Sequence, residues 1–352
     1  LEKYKYITVR SIFFKFIALI AMFVLIHQQS DYIIYGGISI FASSASNVCN
    51  FIYAHKFVDF HQKQKYEYRQ HLKPILVFFA MSCATTIYTN LDTVMLGFIN
   101  GDAEVGFYNA AVKIKSILVC VVTSLGTVLL PRASYYVEHK MMDEFDRITC
   151  KAINFVFLVA VPMMVYFMLF AREGISFLSG DAYKPATIPM IIIMPTLLTI
   201  GLTNIMGIQM LIPLGKEKMV LYSEVAGAVV DFVINMLLIP RMASAGAAIG
   251  TLVAECVVWL VQYYVLRNRV TKAYRNIQYG KIAIAIIFGT IASLLVKNLT
   301  IGNFLTLVVS AILFFGIYAI VLLILKEKFF MEIVNETVLP ILYKLRGCEK
   351  NG

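Results

Sequence analysis

Residues 304–325 read FLTLVVSAILFFGIYAIVLLIL, 22 consecutive positions without a charged side chain. An α-helix rises about 1.5 Å per residue, so a run of this length crosses the ~30 Å hydrocarbon core of a bilayer. The 352-residue chain repeats this pattern and is 60% hydrophobic and 15% charged, with a mean hydropathy of +0.77. Soluble domains are about 45–50% apolar and ~25% charged. The composition therefore predicts an all-α, polytopic membrane protein.

Ten apolar runs in the sequence are candidate membrane spans, and the first and ninth are short. They cover residues 11–26, 32–53, 75–99, 107–130, 152–171, 188–214, 220–239, 248–266, 282–296 and 304–325. If every run crosses, the connectors on one side of the membrane carry 24 lysines and arginines, and those on the other side carry 4. Cytoplasmic loops are enriched in these residues. We therefore predict a multi-pass protein of the cytoplasmic membrane with both termini of this chain in the cytoplasm.

Charge, cysteine content and loop length argue against several other functions. The net charge is +10, but the basic residues lie between apolar runs rather than on one continuous face, so nucleic-acid binding is not expected. None of the 6 cysteines forms a CxxC motif, and no metal or cofactor is expected. The longest predicted cytoplasmic connectors, 54–74 and 131–151, are too short for a soluble catalytic domain. The function should lie among the helices.

Charged residues inside the runs are the most informative side chains, because each costs roughly 2.5–3.5 kcal/mol at the centre of a membrane helix. Seven occur: Lys15, Asp92, Lys113, Lys115, Glu224, Asp231 and Glu255. Counting residues from the predicted helix ends places Lys15 and Glu224 near the cytoplasmic surface. The other five lie in one layer, about 9–12 Å below the outer surface. Two adjacent hairpins thus carry ionisable groups at matched depth.

The pairing of these five groups admits alternatives. Asp92 and Lys113 lie on neighbouring antiparallel helices and can form an ion pair that fixes the register of the hairpin. Lys115 is two positions after Lys113, about 200° around the helix, so the two lysines cannot face the same partner. We expect Lys115 to face a wet cavity and an anionic ligand. Asp231 and Glu255 are candidates for a proton or sodium site, or for a structural link to polar neighbours such as Asn235.

Three segments carry a family resemblance. They are NLDTVMLGFINGDAEVGFYNAAVKI at 90–114, GIQMLIPLGKEK at 207–218 and NMLLIPRMASAGAAIGTLVAE at 235–255. In this order they resemble polysaccharide flippases of the multidrug/oligosaccharidyl-lipid/polysaccharide exporter superfamily, the group that contains Wzx-type O-antigen and capsule repeat-unit flippases. The resemblance extends over nearly the whole chain.

The resemblance implies a division of the chain into parts of two lobes. Family members have 12 to 14 helices in two six-helix lobes, sometimes with two further helices. The expected parts are 1–53, the last two helices of the first lobe; 54–74, a cytoplasmic inter-lobe linker; 75–266, the second lobe; 267–281, a cytoplasmic connector; 282–325, the additional helix pair; and 326–352, a cytoplasmic tail. About four helices would precede this chain in an intact family member, so we expect it to be N-terminally truncated.

The resemblance also implies a function and a substrate site. Lobe-rocking alternating access would carry an undecaprenyl-pyrophosphate-linked oligosaccharide through a hydrophilic cavity, with membrane lipid and polysaccharide polymerase machinery as further partners. The candidates for the cavity lining are Lys115, Lys113, Asp92 and Asn90.

Three alternatives to a polysaccharide flippase stay open. Lys113 and Lys115 argue against a drug/cation antiporter of the same superfamily. Predicted outer loops of 5 to 16 nearly uncharged residues argue against a membrane-bound polymerase or glycosyltransferase. The third alternative is a nonfunctional remnant.

Overall fold

The computed structural model describes residues 4–28, 31–54, 68–298 and 302–335. Within these ranges the chain forms α-helices, short 3₁₀ turns and π-helical segments, and contains no β-strand. The predicted all-α fold is confirmed. The chain divides into two compact units, Leu1–Tyr68 and Arg69–Gly352. Their boundary falls inside the predicted linker at 54–74, but the assignment of the parts to lobes stays a prediction.

The first unit contains two long apolar helices, α1 (Tyr4–Leu25) and α2 (Tyr32–Ala54). In the turn between them, the Asp31 carboxylate accepts hydrogen bonds from the backbone N–H groups of His27 and Gln28, each at 3.0 Å. At the other end of the pair, the rings of Tyr6 and Tyr53 stack with their centroids 4.0 Å apart. The two helices therefore run antiparallel.

The described part of the second unit contains ten further α-helices, packed around a large apolar core and a smaller one at Tyr166, Phe170 and Phe314. They are α3 (Tyr68–Asn100), α4 (Asp102–Glu138), α5 (Met142–Leu169), α6 (Ala171–Ser179), α7 (Thr187–Ile193), α8 (Thr196–Thr203), α9 (Glu217–Asn276), α10 (Tyr279–Leu294), α11 (Asn303–Ile324) and α12 (Lys328–Ile333). Large apolar side chains also cover the outside of the unit; Phe98 is 89% exposed and Ile324 is 72% exposed. Such a surface is stable in contact with lipid and unfavourable in water.

Helix α9 is a hairpin of two segments rather than one 60-residue rod. The backbone at Ala243 (φ 47°, ψ −128°) is not helical and reverses the chain. The segments pack closely because glycines leave room. A Cβ atom at Gly246 would lie 2.6 Å from the Leu238 carbonyl oxygen, and one at Gly250 would lie 2.1 Å from Asn235 Oδ1. The second segment is also tied to α4, because the Ser244 N–H donates to Glu104 Oε2 at 3.2 Å.

The sixth predicted run, 188–214, is broken in the structure. The helices around Pro195 are bent by 47°, and the chain continues as a π-helix at Asn204–Leu211. Breaks of this kind are tolerated in membranes where neighbouring helices satisfy the freed backbone groups. They also recur at functional sites.

The number of membrane spans is only approximately the predicted ten. Seven of the described helices are long and apolar enough to cross a membrane, and the bent segment around Pro195 can supply an eighth. Helix α9 counts once among the seven although it contains two segments, and α2 is not among them. The polytopic membrane fold is confirmed, whereas the exact count is not.

We expect Gly246→Ala to lower the thermal stability of the detergent-purified protein, because the new methyl group meets backbone rather than a movable side chain. Overpacking of this kind costs about 1–3 kcal/mol. Gly316→Ala is the matched control, since a Cβ atom at Gly316 meets nothing within 4 Å. Equal melting temperatures for the two variants would contradict the close packing of the α9 hairpin.

Candidate functional site

Asp92 lies at the centre of a buried polar cluster that joins three helices. Its side chain on α3 is 1% exposed. From the first segment of α9, Asn235 Nδ2 donates to Asp92 Oδ1 at 2.6 Å. From the second segment, Thr251 Oγ1 donates to Asp92 Oδ2 at 2.7 Å. The Tyr108 hydroxyl of α4 donates to the same Oδ2, and its oxygen lies 2.7 Å from Thr251 Oγ1.

Asp231 places a second carboxyl group against this cluster. It is 0% exposed and lies one helical turn before Asn235, close enough to interact with both Asn235 and the Asp92 carboxyl. Neither Asp231 oxygen is in hydrogen-bonding geometry with a donor, and Asn235 Oδ1 also lacks a partner. Two adjacent buried carboxylates repel each other strongly. A proton, a bound cation or a nearby ammonium group would relieve this repulsion.

Lys115 and Glu255 border the cluster. Glu255 is 5% exposed and follows Thr251 by one turn of α9. Lys115 follows Tyr108 by two turns of α4, so both project from the same face of that helix. The Lys115 ammonium group interacts electrostatically with Glu255, Asp92 and Asp231. The structure thus gathers four of the five groups of the predicted ionic layer around Asp92, with Lys115 as the cation.

Lys113 is exposed and points away from Asp92, so the expected Asp92–Lys113 ion pair is not formed. Donors from α4 and α9 occupy the Asp92 carboxylate instead. The Asp92 side chain is buried in this structure, and its expected place in a cavity lining stays a prediction. Asn90 is exposed, and its amide Nδ2 donates to the Thr86 carbonyl oxygen of its own helix at 2.8 Å.

The side chain of Lys113 lines a cavity of about 620 Å³. Asn109 and Ile117 of α4 form one wall, and Ser179 and Tyr183 lie on the other. The Tyr183 ring is held in place by an edge-to-face contact with Phe107, with their centroids 5.7 Å apart. Among the residues that the structure describes, Lys113 forms no ion pair. The cavity therefore combines an uncompensated cation with hydrogen-bonding groups and an aromatic ring.

Two members of the cluster, Tyr108 and Thr251, were not predicted from the sequence. Both side chains are neutral, so they lack the signal that identified the other members, which is the energetic cost of burying a charge. Helical spacing could have identified them, because Tyr108 precedes Lys115 by seven residues and Thr251 precedes Glu255 by four. In the described part of the chain, no group of three or more His, Cys, Asp or Glu side chains is placed to hold a metal ion.

The two aspartates should respond differently to the same isosteric change. Asp92→Asn replaces one of the two acceptor oxygens that serve three donors with an NH2 group, and each buried donor left unpaired costs about 1–3 kcal/mol. We therefore expect a marked loss of thermal stability in detergent. Asp231→Asn removes a charge from oxygens that accept no hydrogen bond. We expect it to leave stability unchanged or raised, and equal losses for both variants would contradict the described geometry.

Two family models match the chain. The model described as polysaccharide biosynthesis protein matches residues 1–137, and the MatE model matches residues 78–237. The two matches overlap on α3 and α4, which carry Asp92 and Tyr108.

Curated relatives of this chain are named as transporters and flippases. A putative O-antigen transporter of Escherichia coli (strain K12) is 25% identical over 274 residues, which cover 76% of this chain and 65% of the relative. A probable low-salt glycan biosynthesis flippase of Haloferax volcanii is 21% identical over 261 residues, 73% of this chain and 53% of the relative. The chain thus spans between about half and two thirds of the length of these relatives.

The fold is that of a solved flippase structure. The structure of the lipid II flippase MurJ in its inward closed conformation superposes with a TM-score of 0.69. The alignment covers 91% of this chain and 67% of that one, with 14% sequence identity. At this identity the likeness shows the fold alone.

Proposed function

We propose that this chain, which belongs to the multidrug/oligosaccharidyl-lipid/polysaccharide exporter superfamily, acts in moving a lipid-linked oligosaccharide across the cytoplasmic membrane. The names of its relatives, O-antigen transporter and glycan biosynthesis flippase, support this substrate class. Undecaprenyl pyrophosphate is the carrier that we propose. The product would be used in surface polysaccharide synthesis, with polymerase machinery as a further partner.

The cavity beside Lys113 is the observation that carries the proposal. An uncompensated ammonium group suits the phosphate groups of a lipid-linked sugar. The Asn109 amide and the Ser179 hydroxyl, which line the same cavity, offer hydrogen bonds to sugar hydroxyls. The Tyr183 ring offers an apolar face for a sugar ring. In this proposal the Lys113 ammonium group contacts the phosphate of the headgroup, and the Lys115 ammonium group offsets the negative charge of the Asp92 cluster.

The cluster around Asp92 is the proposed coupling site. Asp231 and Asn235 contribute three buried oxygen atoms without a hydrogen-bond partner. Oxygen ligands suit hard cations such as Na⁺, and a carboxyl pair also suits a proton. Binding of either ion would neutralise one negative charge and strengthen the contact between α3, α4 and α9. Glu255, next to Lys115, would adjust the charge of the same site.

Alternating access is the proposed mechanism, with no bond made or broken and no enzyme activity. Both termini of this chain are placed in the cytoplasm, because the positive-inside rule favours that orientation. The second candidate function is a drug/cation antiporter of the same superfamily. It is less favoured because the Lys113 ammonium group repels cationic substrates.

Lys113→Gln in the intact protein should reduce surface polysaccharide by about tenfold or more while leaving the amount of membrane-inserted protein unchanged. The reason is the loss of a charge-assisted contact with phosphate, worth roughly 1.5–3 kcal/mol. Lys113→Arg should retain most of the activity. Lys184→Gln is the control, because that lysine is exposed and pairs with Asp181 at 3.4 Å. Normal polymer output from Lys113→Gln would contradict the headgroup role.

Asp231→Asn should uncouple transport from the ion gradient. In proteoliposomes that contain a fluorescent lipid-linked sugar, we expect the wild-type protein to flip faster when an inward Na⁺ or proton gradient is imposed. The variant should flip at the gradient-free rate under all conditions. Asp181→Asn, at an exposed position, should behave as the wild type. Full gradient stimulation of Asp231→Asn would exclude the cluster as the coupling site.

A further inference from the structure

A second cavity lies at the end of the bundle where α5 begins and α9 ends. Its volume is about 690 Å³. The first turns of α5 form one part of the wall, and the last turn of α9 with the loop after it forms another. Glu327 and α12 complete the wall. The connectors at this end belong to the set that carries 24 of the lysines and arginines. Neither Lys113 nor the Asp92 cluster contributes to this cavity.

Two of the four acidic groups in the cavity wall, Asp146 and Glu332, are paired with basic side chains, whereas Asp143 and Glu327 form no ion pair with a described residue. Arg269 Nη1 contacts both carboxylate oxygens of Asp146, at 2.8 and 3.1 Å. Glu332 pairs with Lys151. Glu327 Oε2 accepts from the Phe330 N–H at 2.6 Å.

Three cations lining the same cavity have no such partner. Lys272 and Arg275 are one turn apart on α9, and Lys328 begins α12. All three are exposed and form no ion pair with any residue in the described ranges. A nearby lysine outside the cavity shows the contrast, since Lys281 Nζ donates to the Lys326 carbonyl oxygen at 3.0 Å. The side of the cavity formed by α9 and α12 therefore carries three cations that are free of ion pairs with described residues.

The surroundings of these cations indicate whether a bound phosphate would be free or part of a lipid. Helix α11 ends at Ile324 and α10 begins at Tyr279, both exposed, so the apolar outer surface meets the polar end of the bundle beside the cavity. Phe329 and Ile277 line the cavity itself. A phosphate placed among the cations would leave attached acyl chains beside an apolar surface. A free phosphate would make no use of that surface.

We propose that Lys272, Arg275 and Lys328 form a binding site for the phosphate headgroup of an anionic bilayer lipid. Basic pockets at helix ends on the cytoplasmic side of membranes bind such headgroups, and each cation near the surface strengthens binding by roughly fivefold. The site is separate from the proposed substrate cavity and does not depend on which substrate is transported. A lipid bound here would link α9 and α12.

Native mass spectrometry of the full chain in detergent tests the proposal by titration with dioleoyl phosphatidylglycerol. Lys272→Gln combined with Arg275→Gln should raise the dissociation constant at least tenfold. Lys328→Gln alone should raise it about fivefold. Lys272→Arg combined with Arg275→Lys keeps both charges and should bind within about threefold of wild type. Size-exclusion profiles verify that each variant is folded.

The matched control removes two cations from the same end of the bundle but outside the cavity. Lys216→Gln combined with Lys218→Gln, both at exposed positions, should leave the dissociation constant within twofold of wild type. Equal loss in the control and in the cavity variant would overturn the proposal, because binding would then depend on overall charge. Equal affinity for phosphatidylcholine would also overturn it. Displacement of the lipid by millimolar inorganic phosphate would identify free phosphate as the ligand instead.

Discussion

The arrangement of the second unit depends on one buried carboxylate. Asp92 receives hydrogen bonds from Tyr108 on α4 and from Asn235 and Thr251 on the two segments of α9. An ionised group at this depth is stable only when donors replace its hydration shell, so these helices must stay together while Asp92 is charged. The glycines of α9 allow both of its segments to contact Asp92. Gly250 allows the second segment to approach Asn235 closely enough for both segments to reach Asp92.

The same arrangement explains why Asp231 is the member of the pair that we propose as the ion-binding group. The available donors are already bonded to Asp92, so Asp231 is left with two buried oxygens and no hydrogen-bond donor. A proton or a cation would remove the repulsion between the two carboxyls. Binding of either one would change the charge where α3, α4 and α9 meet. It would therefore change the relative stability of alternative arrangements of these three helices. The proposed coupling between ion and substrate would act at this junction.

Much of the fold and of the buried cluster could be predicted from the sequence, because a charged side chain inside a membrane helix is energetically costly and therefore rare. The charged residues in apolar runs were few, and the helical rise placed Asp92, Asp231 and Glu255 in one layer, which the structure brings together. Helical geometry also indicated that Lys113 and Lys115 face opposite ways. It could not indicate which one faces Asp92, because that depends on the rotation of α4, set by packing of apolar side chains around Tyr108. Neutral partners such as Thr251 carry little penalty in lipid and were missed.

A double-mutant cycle between Asp92→Ala and Thr251→Val tests most directly whether Asp92 holds the helices together. The free energies of unfolding of the wild type, both single variants and the double variant would be measured in the same detergent. The described hydrogen bond predicts a coupling energy of at least about 1 kcal/mol, because each change removes the same contact. Additive effects would mean that the two side chains contribute independently, and would contradict the central place given to Asp92.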